Sequence, residues 1–137
     1  MIGQGLVVQE RIASAEEYRA LRSSVGWTVP ESAKSEAALA RSLFGVVALC
    51  DDKTIGMGRV VGDNELYATI VDVVVAQQCQ RRGVGRKIVE RLVEWARGRE
   101  IVHLGVVADD AVVGYYTNLT FQPSGRYLRL PPVDSRR

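Results

Sequence analysis

The stretch Val71–Ala96, VDVVVAQQCQRRGVGRKIVERLVEWA, decides how this chain folds. Its first part is apolar on both alternating faces except at Asp72, the pattern of a central strand covered on both sides. Its last part sets Ile88, Val89, Leu92, Val93 and Ala96 at helical spacing, which predicts one amphipathic helix from Gly83 to about Arg97. Between them QRRGVGRK, Gln80–Lys87, places Gly83 and Gly85 among Arg81, Arg82, Arg86 and Lys87 where strand gives way to helix. The first-turn amides of a helix have no intrahelical partner and act as about half a positive charge. Glycine lets an anion come close to that backbone, and the four side chains add charge of the right sign. With no anion, each cation opposes the helix dipole by about 0.3–1 kcal/mol. The pattern therefore points to an anion-binding helix start. A nucleic-acid patch calls for interleaved aromatics, and the neighbours are Gln77, Gln78, Cys79 and Gln80.

Upstream, FGVVALC, TIGMGRVVG and ELYATIVDVVVA are separated by the turns DDK and DN, which predicts three consecutive antiparallel strands. GMGRVVG, Gly56–Gly62, imitates a dinucleotide-binding turn. A strand runs through it, however, and its spacing is GxGxxxG, so these read as strand glycines near a bulge. Nearer the N-terminus, GLVVQERI is a strand, and Ser14 caps a short helix with Glu16 and Glu17 in its first turn, ending near Val25. The loop GWTVPE leads to a second helix, ESAKSEAALARSL. Downstream, IVHLGVVA reads as a strand, DDAVVGYYTNL as a short helix opened by a carboxylate, and SGRYLRL as a final strand before the tail PPVDSRR. Helices near both ends of a strand-rich middle imply an α+β fold with a mixed sheet.

The 137 residues, 47% hydrophobic, suit one domain spanning residues 1–137, with 130–137 a polar tail. Eighteen basic residues stand against 16 acidic ones for a net charge of +2, so any basic patch is local and the balance does not favour a nucleic-acid partner. Cys50, Cys79 and a single histidine fit neither a disulfide framework nor a zinc site, and no metal is expected. MIGQGLVVQERIAS lacks the charged start and apolar core of a leader, and no stretch reaches membrane-span length. These features predict a cytoplasmic protein without a membrane partner, or an organellar one if a targeting segment has been trimmed.

The same residues resemble a known family. VDVVVAQQCQRRGVGRKIVERLVEWA is similar to the acetyl-CoA-binding motif of the GCN5-related N-acetyltransferases, whose loop runs Q or R, x, x, G, x, G or A; Gln80, Gly83 and Gly85 match it. VADDAVVGYYTNLTF resembles the family's second segment through Tyr115, Tyr116, Leu119 and Phe121, with Thr120 in place of the usual glycine. Cys79 stands where relatives carry an aromatic, and AQQ replaces a Pro-containing turn. The likeness covers about Phe44 to Pro123, and it is greatest to small arylalkylamine acetyltransferases of the plant and cyanobacterial serotonin N-acetyltransferase type. It implies a mostly antiparallel sheet splayed after its fourth strand and flanked by helices. It also implies acetyl-CoA as co-substrate and a small-molecule amine as acceptor, and it allows a homodimer. The pyrophosphate would rest on Arg81, Arg82, Gly83, Val84, Gly85, Arg86 and Lys87 with Gln80. The pantetheine arm would lie along Val73, Val74 and Val75, binding like an added strand. Asp109 falls where the family places a cofactor-contacting amide side chain.

A primary amine has a pKa of about 10.4, so near neutral pH only about one molecule in a thousand is the nucleophilic free base. Asp72 is the candidate to take the proton, directly or through a water, because a carboxylate in an apolar strand is desolvated and made more basic. The same residue equally suits a buried aspartate held by backbone hydrogen bonds. The leaving thiolate needs a donor, and the resemblance assigns that role to Tyr116, while Tyr115 reads as packing. Trp27, in the loop between the first two helices, can stack on an aryl acceptor or cap the core. His103 and Trp95 read as structural. Protein lysines or an amino-sugar phosphate would use the same cofactor half, and a binding module that contacts nucleic acid through the basic loop is the reading from another class.

Overall fold

The computed structural model describes residues 5–108 and 113–132. A five-stranded sheet runs in the order β1 (Leu6–Gln9), β2 (Phe44–Cys50), β3 (Lys53–Gly62), β4 (Tyr67–Val75) and β5 (His103–Val106). The first four pair antiparallel and β4 pairs with β5 in parallel. The parallel pair needs a crossover, and α3 (Val84–Gly98) supplies it. Two helices, α1 (Ala15–Ser24) and α2 (Ser32–Ala40), connect β1 to β2, and α4 (Val113–Thr117) follows β5. This is the α+β sheet with flanking helices that the hydrophobic pattern implied.

The α3 stripe of Val84, Ile88, Val89, Leu92 and Ala96 is fully buried against the sheet. Burial of each larger apolar side chain contributes about 1.5–3 kcal/mol. Gly58 makes the close packing possible, because a Cβ there would lie 2.8 Å from Ile88 Cγ2 and 3.0 Å from Leu92 Cδ1. On the opposite face Tyr18 and Leu21 of α1 and Leu39 of α2 close the core. A capping box starts α1: Glu17 N donates to Ser14 Oγ at 3.1 Å and Ser14 N donates to Glu17 Oε1 at 2.8 Å. Arg11 grips the same carboxylate at 2.8 and 2.9 Å, and the Thr54 hydroxyl donates to it.

Residues 121–132 form no strand, contrary to the strand expected at SGRYLRL. Leu128 and Leu130 are 87% and 89% exposed, and no neighbouring strand among the described residues pairs with this segment. Alternating apolar residues between Pro123 and Pro131 therefore have no ladder to join. IVHLGVVA contributes only its middle to β5, and the carboxylates expected to open α4 lie outside the described residues.

Candidate active site

The register of β3 against β4 slips at one point: Met57 faces Val74 and Arg59 faces Val71, so Gly58 stands opposite both Asp72 and Val73. This is a β-bulge, with Asp72 in the left-handed region at φ +57°. Aspartate is among the few side chains that tolerate this conformation. The extra residue reverses the alternation. Asp72, which regular pleating would put on the α3 face, turns to the face of α1 and α2.

There its carboxylate meets two guanidiniums. Arg22 Nη1 donates to Oδ1 at 3.0 Å and Arg59 Nε donates to Oδ2 at 2.8 Å. Arg59 also donates to Ser42 Oγ at 3.0 Å, and Arg22 Nε donates to the Thr28 carbonyl at 2.7 Å. The Arg22 guanidinium lies 5.5 Å from the centre of the Tyr18 ring and 5.3 Å from that of Trp27. Burial, and after it the Asp72 charge, raises the Tyr18 phenol above its ordinary value. A cavity of about 10 Å³ beside Tyr18, Met57, Arg59 and Asp72 is the size of about one water. The bare carboxylate in an apolar strand expected from the sequence is thus an ion-pair centre, held by side chains instead of backbone amides.

β4 pairs with β5 only from Tyr67 to Ile70, matched with His103 to Val106. β5 and its pairing end at Val106, opposite Ile70, leaving one edge of Val71–Val75 uncovered among the described residues. The Val75 carbonyl faces that edge and accepts from Gln80 Nε2 at 2.9 Å. Backbone direction alternates along a strand, so Val73 presents its amide and carbonyl the same way. A short 3-10 turn, Gln77–Cys79, then leads to the start of α3.

Gly83 caps α3 at φ +82°, with no side chain among the described residues satisfying the helix amides and no acidic residue in the first turn. Arg81, Arg82, Arg86 and Lys87 are exposed around it, and Arg86 stands 3.6 Å from Glu90. Val84 is buried, so it can serve a ligand only through its backbone. Tyr115 reaches this region: a Cβ on Gly85 would lie 3.6 Å from its hydroxyl and 3.6 Å from Val75 Cγ2. That hydroxyl is buried without a hydrogen-bond partner among the described residues, and burial pushes the phenol up to about 12. Tyr116 is buried edge-on between Tyr115 and Phe121, with ring centres 5.2 and 5.8 Å away, and burial raises its phenol as well. Thr120, where the family motif has glycine, takes a left-handed φ of +72°.

The structure thus places Val73–Val75, Gln80–Lys87 and Tyr115 around one edge, and sets Asp72 and Trp27 on the α1–α2 side. Trp27 is 43% exposed in its loop and does not cap the core. Arg22, Arg59 and Tyr18 escaped the sequence reading. The only sequence signal for them is two arginines in segments that pack on a strand carrying a lone carboxylate. Asp109 lies outside the described residues. His103 stacks on Tyr67 at 4.9 Å, and Trp95 on Phe44 at 4.9 Å. Among the described residues no cluster of His, Cys, Asp or Glu is arranged to hold a metal, and no helix is long and apolar enough to cross a membrane.

Known proteins resemble this chain in sequence and fold. The chain is 33% identical over 113 residues to "Serotonin N-acetyltransferase 2, chloroplastic" from Oryza sativa subsp. japonica, a match covering 82% of this chain and 47% of that protein. It is 40% identical over 72 residues to "GCN5-related N-acetyltransferase 2, chloroplastic" from Arabidopsis thaliana, covering 53% of this chain and 28% of that one. The chain therefore spans half or less of the length of these relatives. A crystal structure of a probable acetyltransferase of unknown function from meticillin-resistant Staphylococcus aureus superposes with a TM-score of 0.81 at 30% identity, covering 91% of this chain and 99% of that one. The mixed sheet with its short parallel β4–β5 pair, the glycine-led helix start and a match to the acetyltransferase (GNAT) family across residues 12–121 lead to one conclusion: this chain belongs to that family.

Proposed function

We propose that the chain is an acetyl-CoA-dependent N-acetyltransferase whose acceptor is a small primary amine of the arylalkylamine class, built as one domain over residues 1–137. One observation carries the reading: the edge of Val71–Val75, uncovered among the described residues, runs from the bulge at Asp72 to a cation-ringed helix start with no acidic residue in its first turn. An amide-rich arm ending in a pyrophosphate suits that edge through its backbone hydrogen-bonding groups and suits the helix start through its charge. The Tyr115 hydroxyl, without a partner among the described residues, and the side-chain-free surface of Gly85 fit the same occupant. Gln80–Lys87 would hold the pyrophosphate, and Val73 and Val75 the arm.

Acetyl-CoA supplies an activated acyl group as a thioester. The free-base nitrogen attacks the carbonyl carbon; the N–C bond forms, the C–S bond breaks, and the nitrogen loses a proton to Asp72, directly or through a water. The sulfur takes a proton from Tyr116. Burial keeps that phenol protonated well above neutral pH, so the proton is present when the thiolate departs. Trp27 offers an exposed face for an aromatic ring.

The test is thiol release from acetyl-CoA with aryl monoamines, alkyl amines, a lysine peptide and an amino-sugar phosphate. Aryl monoamines should give the highest kcat/KM. Saturable acetyl-CoA binding with no release to any amine would refute the reading. Acetyl-CoA should also raise Tm, whereas a rise with an oligonucleotide alone would favour a nucleic-acid module. Tyr116→Phe should lower kcat by about 10²–10⁴-fold and leave acetyl-CoA binding intact.

A further inference from the structure

Asp72 does not stand alone at the bulge. Arg22 touches three parts of the acceptor side at once: its Nη1 donates to Asp72, its Nε to the Thr28 carbonyl, and its guanidinium plane lies beside the Trp27 ring. Its own carbonyl accepts from Trp27 N at 2.9 Å. The α1–α2 loop and the carboxylate, distant in sequence, are therefore joined through one mostly buried side chain. Arg59, the other partner of Asp72, points elsewhere, to Ser42 and the Ala38 carbonyl at the end of α2.

Resting on the acetyltransferase reading above, we propose that Arg22 is a positioning residue that makes Asp72 and the Trp27 loop a single unit, so that seating an acceptor ring on Trp27 sets its amine against the carboxylate. The fork shape of the group is essential. A planar guanidinium can donate in two directions while stacking on a ring, whereas a lysine ammonium is a point charge on a flexible stem. Arg22→Lys keeps the positive charge beside Asp72 and loses the tie to Thr28, which separates position from charge. Removing Arg59 would leave the Trp27 loop in place.

The test compares Arg22→Lys and Arg22→Ala with the wild type, and uses Arg91→Ala, an exposed residue paired with Glu10, as the control. Two readouts are needed. In steady-state assays Arg22→Lys should lower kcat/KM for the aryl amine by about ten- to a hundredfold, with KM for acetyl-CoA unchanged. Hydrogen–deuterium exchange should quicken together in peptides over 26–30 and 70–74, with α3 unaffected. Unchanged exchange in either segment, wild-type acceptor kinetics, or an equal loss for acetyl-CoA would overturn the proposal. The exchange readout needs no activity. If the wild type acetylates no amine, the proposed function fails, while joint or unchanged exchange still decides whether Arg22 couples the two segments. Should Arg22→Ala fail to fold, Arg22→Lys carries both measurements.

Discussion

Substituting Asp72 with asparagine tests the ion-pair centre at its middle. Asparagine keeps the shape and tolerates the left-handed backbone at φ +57°, so the bulge is preserved and only the charge is lost. The Arg22 and Arg59 guanidiniums are then left facing each other, with side chains only 17% and 14% exposed. Breaking a buried pair by removing one partner costs about 3–5 kcal/mol, and the residual exposure places this case near 3 kcal/mol. Asp72→Asn should therefore lower urea-unfolding stability by about 3 kcal/mol, or Tm by about 10 °C for a chain of this size. Adding Arg22→Gln should recover about 1–2 kcal/mol, because it removes one of the two stranded charges. An Asp72→Asn variant within about 0.5 kcal/mol of wild type would refute the idea that the carboxylate holds the two arginines in place.

Other outcomes follow from the same geometry. Chiefly through its hydrogen bonds with Arg11, Glu17 is held at about 2, below its ordinary 4.5. Its folded value is depressed, so its contribution is complete above about pH 4.5 and is lost as pH falls through about 2. Arg11 is 40% exposed, which limits that contribution to about 1 kcal/mol, and Glu17→Gln should flatten the acid limb of stability by this amount. Tyr115 is raised to about 12, the opposite sign: its stabilisation is complete below pH 10 and is lost as pH rises toward 12. Tyr115→Phe should reduce alkaline sensitivity in that window, as read by circular dichroism. Gly85→Ala meets only ordinary contacts at 3.6 Å and should leave Tm unchanged or slightly raised. Its methyl should still weaken acetyl-CoA binding by about tenfold, measured by calorimetry. Gly83→Ala, at φ +82°, should instead cost about 1–2 kcal/mol of stability.

Much of the fold was legible because its periodicities are clean. The α3 stripe, the three central strands and the Ser14 cap each follow from spacing or a local cap, which depend on nearby residues. SGRYLRL misled because alternation states only that a strand would be amphipathic, and a strand also requires a neighbour to pair with. At the site, the basic loop announced itself through four cations beside two glycines. The partners of Asp72 did not, because Arg22 lies 50 residues away and Arg59 13, and no local pattern records an ion pair across a sheet face. The bulge was anticipated from the glycines of β3, but its effect on Asp72 was hidden. Only the slipped register shows that the carboxylate faces α1 and α2.

The short pairing of β4 with β5 also bears on solubility. A β-branched strand such as Val71–Val75, with the Val73 backbone groups facing an edge uncovered among the described residues, invites pairing with a strand of another molecule. Here the edge is interrupted by the bulge at Asp72 and ends under the Gln80 amide beside a cluster of positive charges. Each of these is a recognised guard against intermolecular sheet growth. Asp72 thus separates a binding groove from a sticky edge, and its loss should be felt in light scattering as well as in catalysis.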